Sequence, residues 1–147
     1  MSKFRWMSGA MLLLATATSH AVDFKTVGAA PVILYDAPSA KGGKLYVAPR
    51  GMPLEVVLSY GEWVKVRDAS GEMAWTEAKG LSAKRNLVAR AANLKVRASP
   101  DDTSSAVLLL DKGVLLEMSE QPSSGWIKVR HKDGQTGYVK TSEVWGL

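Results

Sequence analysis

The sequence contains the same segment twice. Residues 61–68 read GEWVKVRD and residues 124–131 read SGWIKVRH, which places the second copy 63 positions after the first. Two flanking matches are RGMPLEV at 50–56 with KGVLLEM at 112–118, and ILYDA at 33–37 with LKVRA at 94–98, at spacings of 62 and 61. So steady a spacing indicates two copies of one unit of about 60 residues, which is a small domain rather than a solenoid repeat.

The first 21 residues have the layout of a secretory signal peptide. Lys3 and Arg5 precede an apolar stretch of about 11 residues, and a small-x-small cleavage site ends at Ala21. A membrane-spanning helix needs about 20 apolar residues, and a lipoprotein anchor needs a cysteine, which the sequence lacks. We expect cleavage after Ala21, no membrane anchor afterwards, and a periplasmic or secreted mature protein.

Composition excludes several kinds of protein. The absence of cysteine excludes a disulfide scaffold, a thiol nucleophile and thiolate metal sites. Each unit must therefore rely on its own apolar core, and we expect some packing between the two. After residue 21 the chain carries 17 basic and 14 acidic residues, a net charge of +3. These charges form no basic stripe, so nucleic acid is not an expected partner.

Short apolar runs between turn sequences predict an all-β chain. The predicted strands are 32–35, 44–47, 53–59, 63–67 and 73–76 in the first unit, and 93–97, 106–109, 115–119, 126–130 and 137–140 in the second. The segment 81–92 joins the units. Its middle, 86–90, is apolar enough to be a first strand of the second unit, and 24–29 holds the matching place in the first.

The second copy carries the motifs of a known domain. These are VRASP at 96–100, KG at 112–113, GWIKVR at 125–130 and DGQTGYV at 133–139, and together they resemble the bacterial Src-homology-3-like (SH3b) domain. The first copy keeps Gly51, Trp63 to Arg67, Gly71 and Trp75, but it departs at 34–38 and 74–76. The resemblance covers about residues 24–147. It implies two tandem SH3-like β-barrels of five strands, at 22–82 and 83–147, after a signal peptide at 1–21.

The resemblance also implies a function. SH3b domains are typically non-catalytic modules that work beside cell-wall enzymes, and several bind peptidoglycan peptides or cross-bridges. We therefore expect an exported binding protein that recognises peptidoglycan or a peptide in the cell envelope. The alternative is a protein-protein adaptor that docks an envelope enzyme without binding the wall. Recognition of proline-rich helices is not expected, because the second set of aromatic residues which that function needs is missing.

Strand alternation predicts where a ligand would bind. Ile127 and Val129 belong in a core, which places Trp126, Lys128 and Arg130 on the opposite face of the strand. A three-residue loop at 132–134 would pair Lys128 with the aromatic residue at 138 and bring both rings to one face. A two-residue loop at 133–134 would mix the faces, so the longer loop is preferred.

Exposed aromatic rings beside cations can form a peptide groove, since the rings give apolar contact and the cations bind carboxylates. The candidate ligand-binding residues are Trp126, Tyr138, Lys128 and Arg130 in the second unit, and Trp63 and Trp75 in the first. The alternative is that these rings cover the neighbouring barrel or the linker strand and bind no ligand.

Catalytic residues are not expected. His131 is the one histidine after residue 21, and it lies in or beside a hairpin loop between basic neighbours, a setting typical of a solvated surface residue. The sequence has no Ser-His-Asp set, no cluster with metal-ligand spacing and no glycine-rich phosphate loop. We expect no enzyme activity, no cofactor and no metal.

Overall fold

A computed structural model describes residues 22–147, and the signal peptide expected at 1–21 lies outside the described residues. The described chain is all β apart from two 3₁₀ turns at Ala78–Gly80 and Thr141–Glu143. It forms two seven-stranded antiparallel sheets, one from each copy of the repeat. Among residues 22–147, no helix is long and apolar enough to cross a membrane.

The two sheets have the same topology. The first contains β1 (Asp23–Val27), β2 (Val32–Tyr35), β3 (Lys44–Ala48), β4 (Pro53–Tyr60), β5 (Trp63–Arg67), β6 (Met73–Glu77) and β7 (Leu81–Ser82), in the spatial order β3-β2-β6-β5-β4-β1-β7. The second contains β8 (Asn86–Ala89), β9 (Leu94–Arg97), β10 (Ala106–Leu110), β11 (Leu115–Met118), β12 (Trp126–Arg130), β13 (Thr136–Lys140) and β14 (Val144–Trp145), in the order β10-β9-β13-β12-β11-β8-β14.

The predicted all-β class and the ten predicted strands are confirmed, and the strand ends agree to within one residue. The two first strands are also present, as β1 and β8. The expected five strands per unit are too few, because each sheet also contains its first strand and a two-residue strand that follows the 3₁₀ turn. The first strands β1 and β8 pair with β4 at 53–56 and with β11 at 115–117, and the two-residue strands β7 and β14 pair in turn with β1 and β8.

The alignment of 33–37 with 94–98 at a spacing of 61 is wrong by one residue. In the sheets, Tyr35 lies opposite Trp75 and Arg97 lies opposite Tyr138. Because Trp75 and Tyr138 are equivalent, the counterpart of Tyr35 is Arg97, at a spacing of 62. Burial agrees, since Leu34 and its counterpart 62 residues later both lie in a core.

Each unit has a core of its own, formed by the inward side chains of its strands. The buried residues are Val27, Leu34, Ala48, Leu54, Val64, Val66 and Ala74 in the first unit, and Leu87, Ala89, Leu94, Val96, Leu110, Leu116, Ile127, Val129, Val139 and Val144 in the second. Burying one large aliphatic side chain contributes about 1.5–3 kcal/mol. These cores stabilise the two units without the disulfide bonds that stabilise many exported domains.

The two units also contact each other through the outward face of β1. The ring of Phe24, which is 8% exposed, meets Trp145 edge-on with the ring centres 5.0 Å apart, and the Arg85 guanidinium lies 5.6 Å from the Phe24 ring centre. The backbone N–H of Asn86 donates to Thr26 Oγ1 over 3.2 Å. The expected packing between the units is therefore present, and it uses neither Trp126 nor Tyr138.

Candidate functional site

The β12–β13 hairpin places Trp126 and Tyr138 on one face, as predicted. Ile127 lies opposite Val139 and Lys128 lies opposite Tyr138. The backbone N–H of residue 131 donates to the carbonyl of residue 135, which leaves the three-residue loop 132–134 with its glycine in the left-handed region. The longer loop is confirmed, and the two-residue alternative is wrong.

The partly exposed rings of Trp126 and Tyr138 line a hollow of about 230 Å³ on the outer face of the second unit. Lys128 lines it too, with its Nζ 6.0 Å from the Tyr138 ring centre. The rest of the wall comes from two loops that the sequence reasoning did not connect with the site, and consists of Pro100, Glu120, Gln121, Ser123 and Ser124. We name this feature the aromatic hollow.

Acidic side chains accompany both cations that lie near the rings. Lys128 Nζ is 3.6 Å from a carboxylate oxygen of Glu120. Lys140 Nζ is 5.8 Å from the Trp126 ring centre and 2.7 Å from a carboxylate oxygen of Asp102. Exposed pairs of this kind contribute only about 0–1 kcal/mol, so a ligand can replace one member at little cost. The aromatic hollow therefore offers a positive and a negative contact rather than a purely cationic one.

A tight turn fixes the position of Trp126. The backbone N–H of Ser123 donates to the carbonyl of Trp126 over 2.8 Å, and the reverse bond is 3.0 Å. Between them Ser124 and Gly125 both have positive φ, at 51° and 82°, as in a type I′ hairpin turn. A left-handed conformation is uncommon for serine, and here it brings the Ser124 backbone to the rim of the aromatic hollow.

Arg130 is not part of the aromatic hollow, contrary to the prediction. Its Nε donates over 3.0 Å to the carboxylate of Glu117, which lies opposite it on β11. The first unit repeats this cross-strand pair as Arg67 and Glu55, with Nη1 3.0 Å from Oε2. Hydrogen bonds from Lys84 and then from Arg130 hold the pKa of Glu117 below its usual range. The repeated arginine therefore joins neighbouring strands.

The first unit has a different aromatic face. Trp63 and Trp75 lie on the same side of the β5–β6 hairpin, as predicted, with Lys65 opposite Trp75. Tyr35 is buried against this face and meets Trp63 edge-on, with ring centres 5.5 Å apart. Because the counterpart of Tyr35 in the second unit is Arg97, the two faces present different surfaces. A cavity of about 500 Å³ in the first unit is lined by Tyr35 but by neither tryptophan.

His131 departs from its expected setting. Its side chain is 11% exposed rather than solvated, and its Nδ1 accepts a hydrogen bond of 3.4 Å from the backbone N–H of Asp133. The imidazole thus folds back onto its own hairpin loop. Across residues 22–147, no three histidine, aspartate or glutamate side chains gather as metal ligands.

Comparison with known proteins identifies both units. The bacterial SH3 domain family matches residues 28–82 and again residues 90–146, which confirms the resemblance seen in the sequence. No curated protein matches the chain. The solved structures that are similar include NlpC1 from Trichomonas vaginalis, at 12% identity and a TM-score of 0.39, covering 92% of this chain and 49% of that one. An NlpC/P60 family protein from Bacillus cereus has 13% identity and a TM-score of 0.38, covering 84% of this chain and 56% of that one. The chain thus spans about half the length of these proteins.

Proposed function

Since the chain belongs to the bacterial SH3 domain family, with one domain at 28–82 and a second at 90–146, we propose that it is a non-catalytic exported protein that recognises peptidoglycan or a peptide of the cell envelope. A fold does not define a ligand, so the site has to supply the argument. The observation that carries the proposal is the aromatic hollow, where Trp126 and Tyr138 remain partly exposed beside charges of both signs.

The size of the aromatic hollow favours a polymer. Pockets that hold a complete small molecule usually measure about 300–1,000 Å³, and this one measures about 230 Å³. It therefore suits one side chain or one sugar ring of a longer chain. A repeating wall polymer presents many such groups, so that a shallow site on one domain meets a high local concentration of ligand.

The chemistry of the aromatic hollow fits a peptide with free amino and carboxyl groups, as peptidoglycan stem peptides have. The Trp126 and Tyr138 rings supply apolar contact for the aliphatic part of such a ligand. Lys128 would bind a ligand carboxylate in exchange for Glu120, and Glu120 would then bind a ligand ammonium group. Both exchanges keep every charge paired.

The test is co-sedimentation of the mature protein (22–147) with purified sacculi. Trp126→Ala should weaken binding at least tenfold, because truncating a central interface aromatic commonly costs about 2 kcal/mol or more. Tyr60→Ala is the control, since it removes an exposed aromatic ring of the first unit that is not a candidate ligand-binding residue, and it should leave binding unchanged. Circular dichroism would establish that both variants fold. A native protein that stays in the supernatant, or equal losses in the two variants, would contradict the proposal.

One feature favours the adaptor alternative. The edge strands β3 and β10 expose apolar side chains at equivalent positions, with Leu45 52%, Val47 59%, Val107 42% and Leu109 61% exposed. An edge strand can pair with a strand of another protein. An adaptor would ignore sacculi but retain an envelope enzyme in a pull-down, and Leu109→Lys would then abolish that retention while Trp126→Ala would not.

A further inference from the structure

Another concave surface lies where the two units meet. It is a cleft of about 540 Å³, within the usual range for small-molecule sites. We name it the junction cleft, and the residues that define it are Arg50 from the first unit, Lys84 from the linker, and Asn86, Glu117, Arg130 and Lys132 from the second unit. It shares no residue with the aromatic hollow.

The junction cleft concentrates positive charge. Four of its lining residues are Lys or Arg and one is Glu, a net charge of +3 with His131 taken as neutral. Residues 22–147 carry 17 basic and 14 acidic side chains, which is also a net charge of +3. The rest of the described chain is therefore balanced, and its whole positive excess corresponds to this one concave surface. An excess of charges of one sign along a cleft focuses the electrostatic potential and attracts counter-ions.

Two of these cations have no acidic partner. Lys84 and Arg130 both bind the Glu117 carboxylate. Within residues 22–147, neither Arg50 nor Lys132 has a carboxylate within 4.0 Å. Arg50 belongs to the first unit and Lys132 to the second, and both line the cleft. An anion in the cleft would meet cations from both units.

A buried acceptor lies in the same place. Asn86 is 7% exposed, and its Nδ2 donates to the Gly51 carbonyl over 2.8 Å. Its Oδ1 is buried and has no hydrogen-bond donor among the described residues. Leaving such an atom unsatisfied costs about 1–3 kcal/mol, and native structures seldom do so without a reason. Asn86 also lines the cleft, and a turn of its side-chain amide would bring this oxygen within reach of a ligand hydroxyl.

From the four cations, the two unpaired ones among them and the buried Asn86 Oδ1, we propose that the junction cleft binds a phosphate ester of a sugar or polyol. A phosphate monoester carries about −1.5 to −2 charges at pH 7, which matches the charge excess better than a single carboxylate does. The guanidinium of Arg50 suits phosphate oxygens, and a ligand hydroxyl would donate to Asn86. The site is independent of wall-peptide recognition, and it requires both units.

The probe is glycerol 3-phosphate, titrated into the isotopically labelled mature protein at low salt and followed by amide chemical shifts. Saturable shifts should be confined to the lining of the junction cleft, including the amides of Gly51, Asn86 and Lys132, and glycerol alone should cause none. Methyl phosphate, which has no alcohol hydroxyl, should bind several-fold more weakly. Equal affinity for the two esters would overturn the role of Asn86.

Charge variants test the site itself. Arg50→Gln and Lys132→Gln should each weaken binding about tenfold or more, because a charge-assisted hydrogen bond contributes about 1.5–3 kcal/mol. Neither change breaks an ion pair within residues 22–147, so both variants should fold. Lys95→Gln is the matched control, an exposed cation on β9 outside the cleft. Shifts that do not saturate, or an equal effect of Lys95→Gln, would show diffuse attraction and overturn the proposal.

A second titration, with poly(glycerol phosphate), tests whether the ligand is a free phosphate ester or a phosphate-bearing polymer. Equal affinity per phosphate would assign a free ester as the ligand. Tighter polymer binding that Arg50→Gln and Lys132→Gln weaken would assign a phosphate-bearing wall polymer. Polymer binding with the same response to all three variants would count against the junction cleft.

Discussion

Replacing Phe24 with alanine should uncouple the two domains. The side chain is nearly buried, meets Trp145 edge-on at 5.0 Å and lies beneath the Arg85 guanidinium at 5.6 Å. A buried Phe→Ala change costs about 3–5 kcal/mol. Of that, the aromatic pair contributes about 0.5–1.5 kcal/mol and the cation–π contact about 0.5–1 kcal/mol. Phe24→Leu keeps most of the apolar burial and should lose only the ring-specific part, about 1–2.5 kcal/mol.

Urea unfolding followed by tryptophan fluorescence measures these losses. The native protein should unfold in one transition, because the junction joins the two cores. Phe24→Ala should lower the midpoint and separate two transitions of smaller slope, since each slope follows the surface that unfolds. A double-mutant cycle with Trp145→Ala should give a coupling energy of about 0.5–1.5 kcal/mol.

A cycle between Phe24→Ala and Trp126→Ala is the control. The aromatic hollow shares no contact with the junction, and these two changes should add to within about 0.3–0.5 kcal/mol. An unchanged midpoint in Phe24→Ala, or a cycle with Trp145→Ala that is additive to the same degree, would refute the reasoning. The outward face of β1 would then not be an interface in solution.

Three further predictions concern single positions. Gly137→Ala should destabilise the second domain by about 1–3 kcal/mol in urea unfolding, because the new Cβ would lie 2.6 Å from Val96 Cγ1; a neutral result would contradict the close packing of β9 and β13. Burial alone would raise the pKa of Asp68, but hydrogen bonds from Ser70, from Tyr46 and from two backbone N–H groups outweigh it and hold that pKa below its usual value. Asp68 therefore stabilises the fold above about pH 4, and this stability is lost as the pH falls through the lowered pKa. Melting temperatures measured from pH 7 to pH 2 should fall less for Asp68→Asn than for the native protein. Parallel curves of melting temperature against pH for the two proteins would exclude this role. Glu117→Gln should tighten glycerol 3-phosphate binding several-fold by releasing two cations into the junction cleft, and unchanged affinity would show that Glu117 does not compete with the ligand.

The strands could be predicted because their signal is local. Alternation in β12 leaves one register in which Ile127 and Val139 share a core, and that register also determines the position of Tyr138. The same signal fails in β2, where Ile33, Leu34 and Tyr35 are all apolar and either phase can face inward. That ambiguity explains the alignment error of one residue.

The surroundings of the candidate site could not be predicted, because they depend on residues from distant segments. The alternation of β12 places Arg130 on the face of Trp126, but it does not reveal that Glu117 on the neighbouring strand draws the guanidinium away. Glu120 reaches Lys128 from a loop. The junction cleft combines residues near positions 50, 84, 117 and 132, and no spacing within one unit marks such a set.

The outward face of β1 makes the two domains inequivalent, although they are copies of one unit. Phe24 and Thr26 face the second domain, whereas the equivalent positions on β8 are Asn86 and Val88. The duplicated halves are therefore not interchangeable, since only the first offers the aromatic and hydroxyl groups that Trp145 and Asn86 engage. The junction therefore depends on the Phe-x-Thr tripeptide at 24–26, which only the first domain carries. If the second domain were fused to an unrelated domain, its own core would be preserved. Trp145 would be exposed, unless the new neighbour carried the same Phe-x-Thr tripeptide.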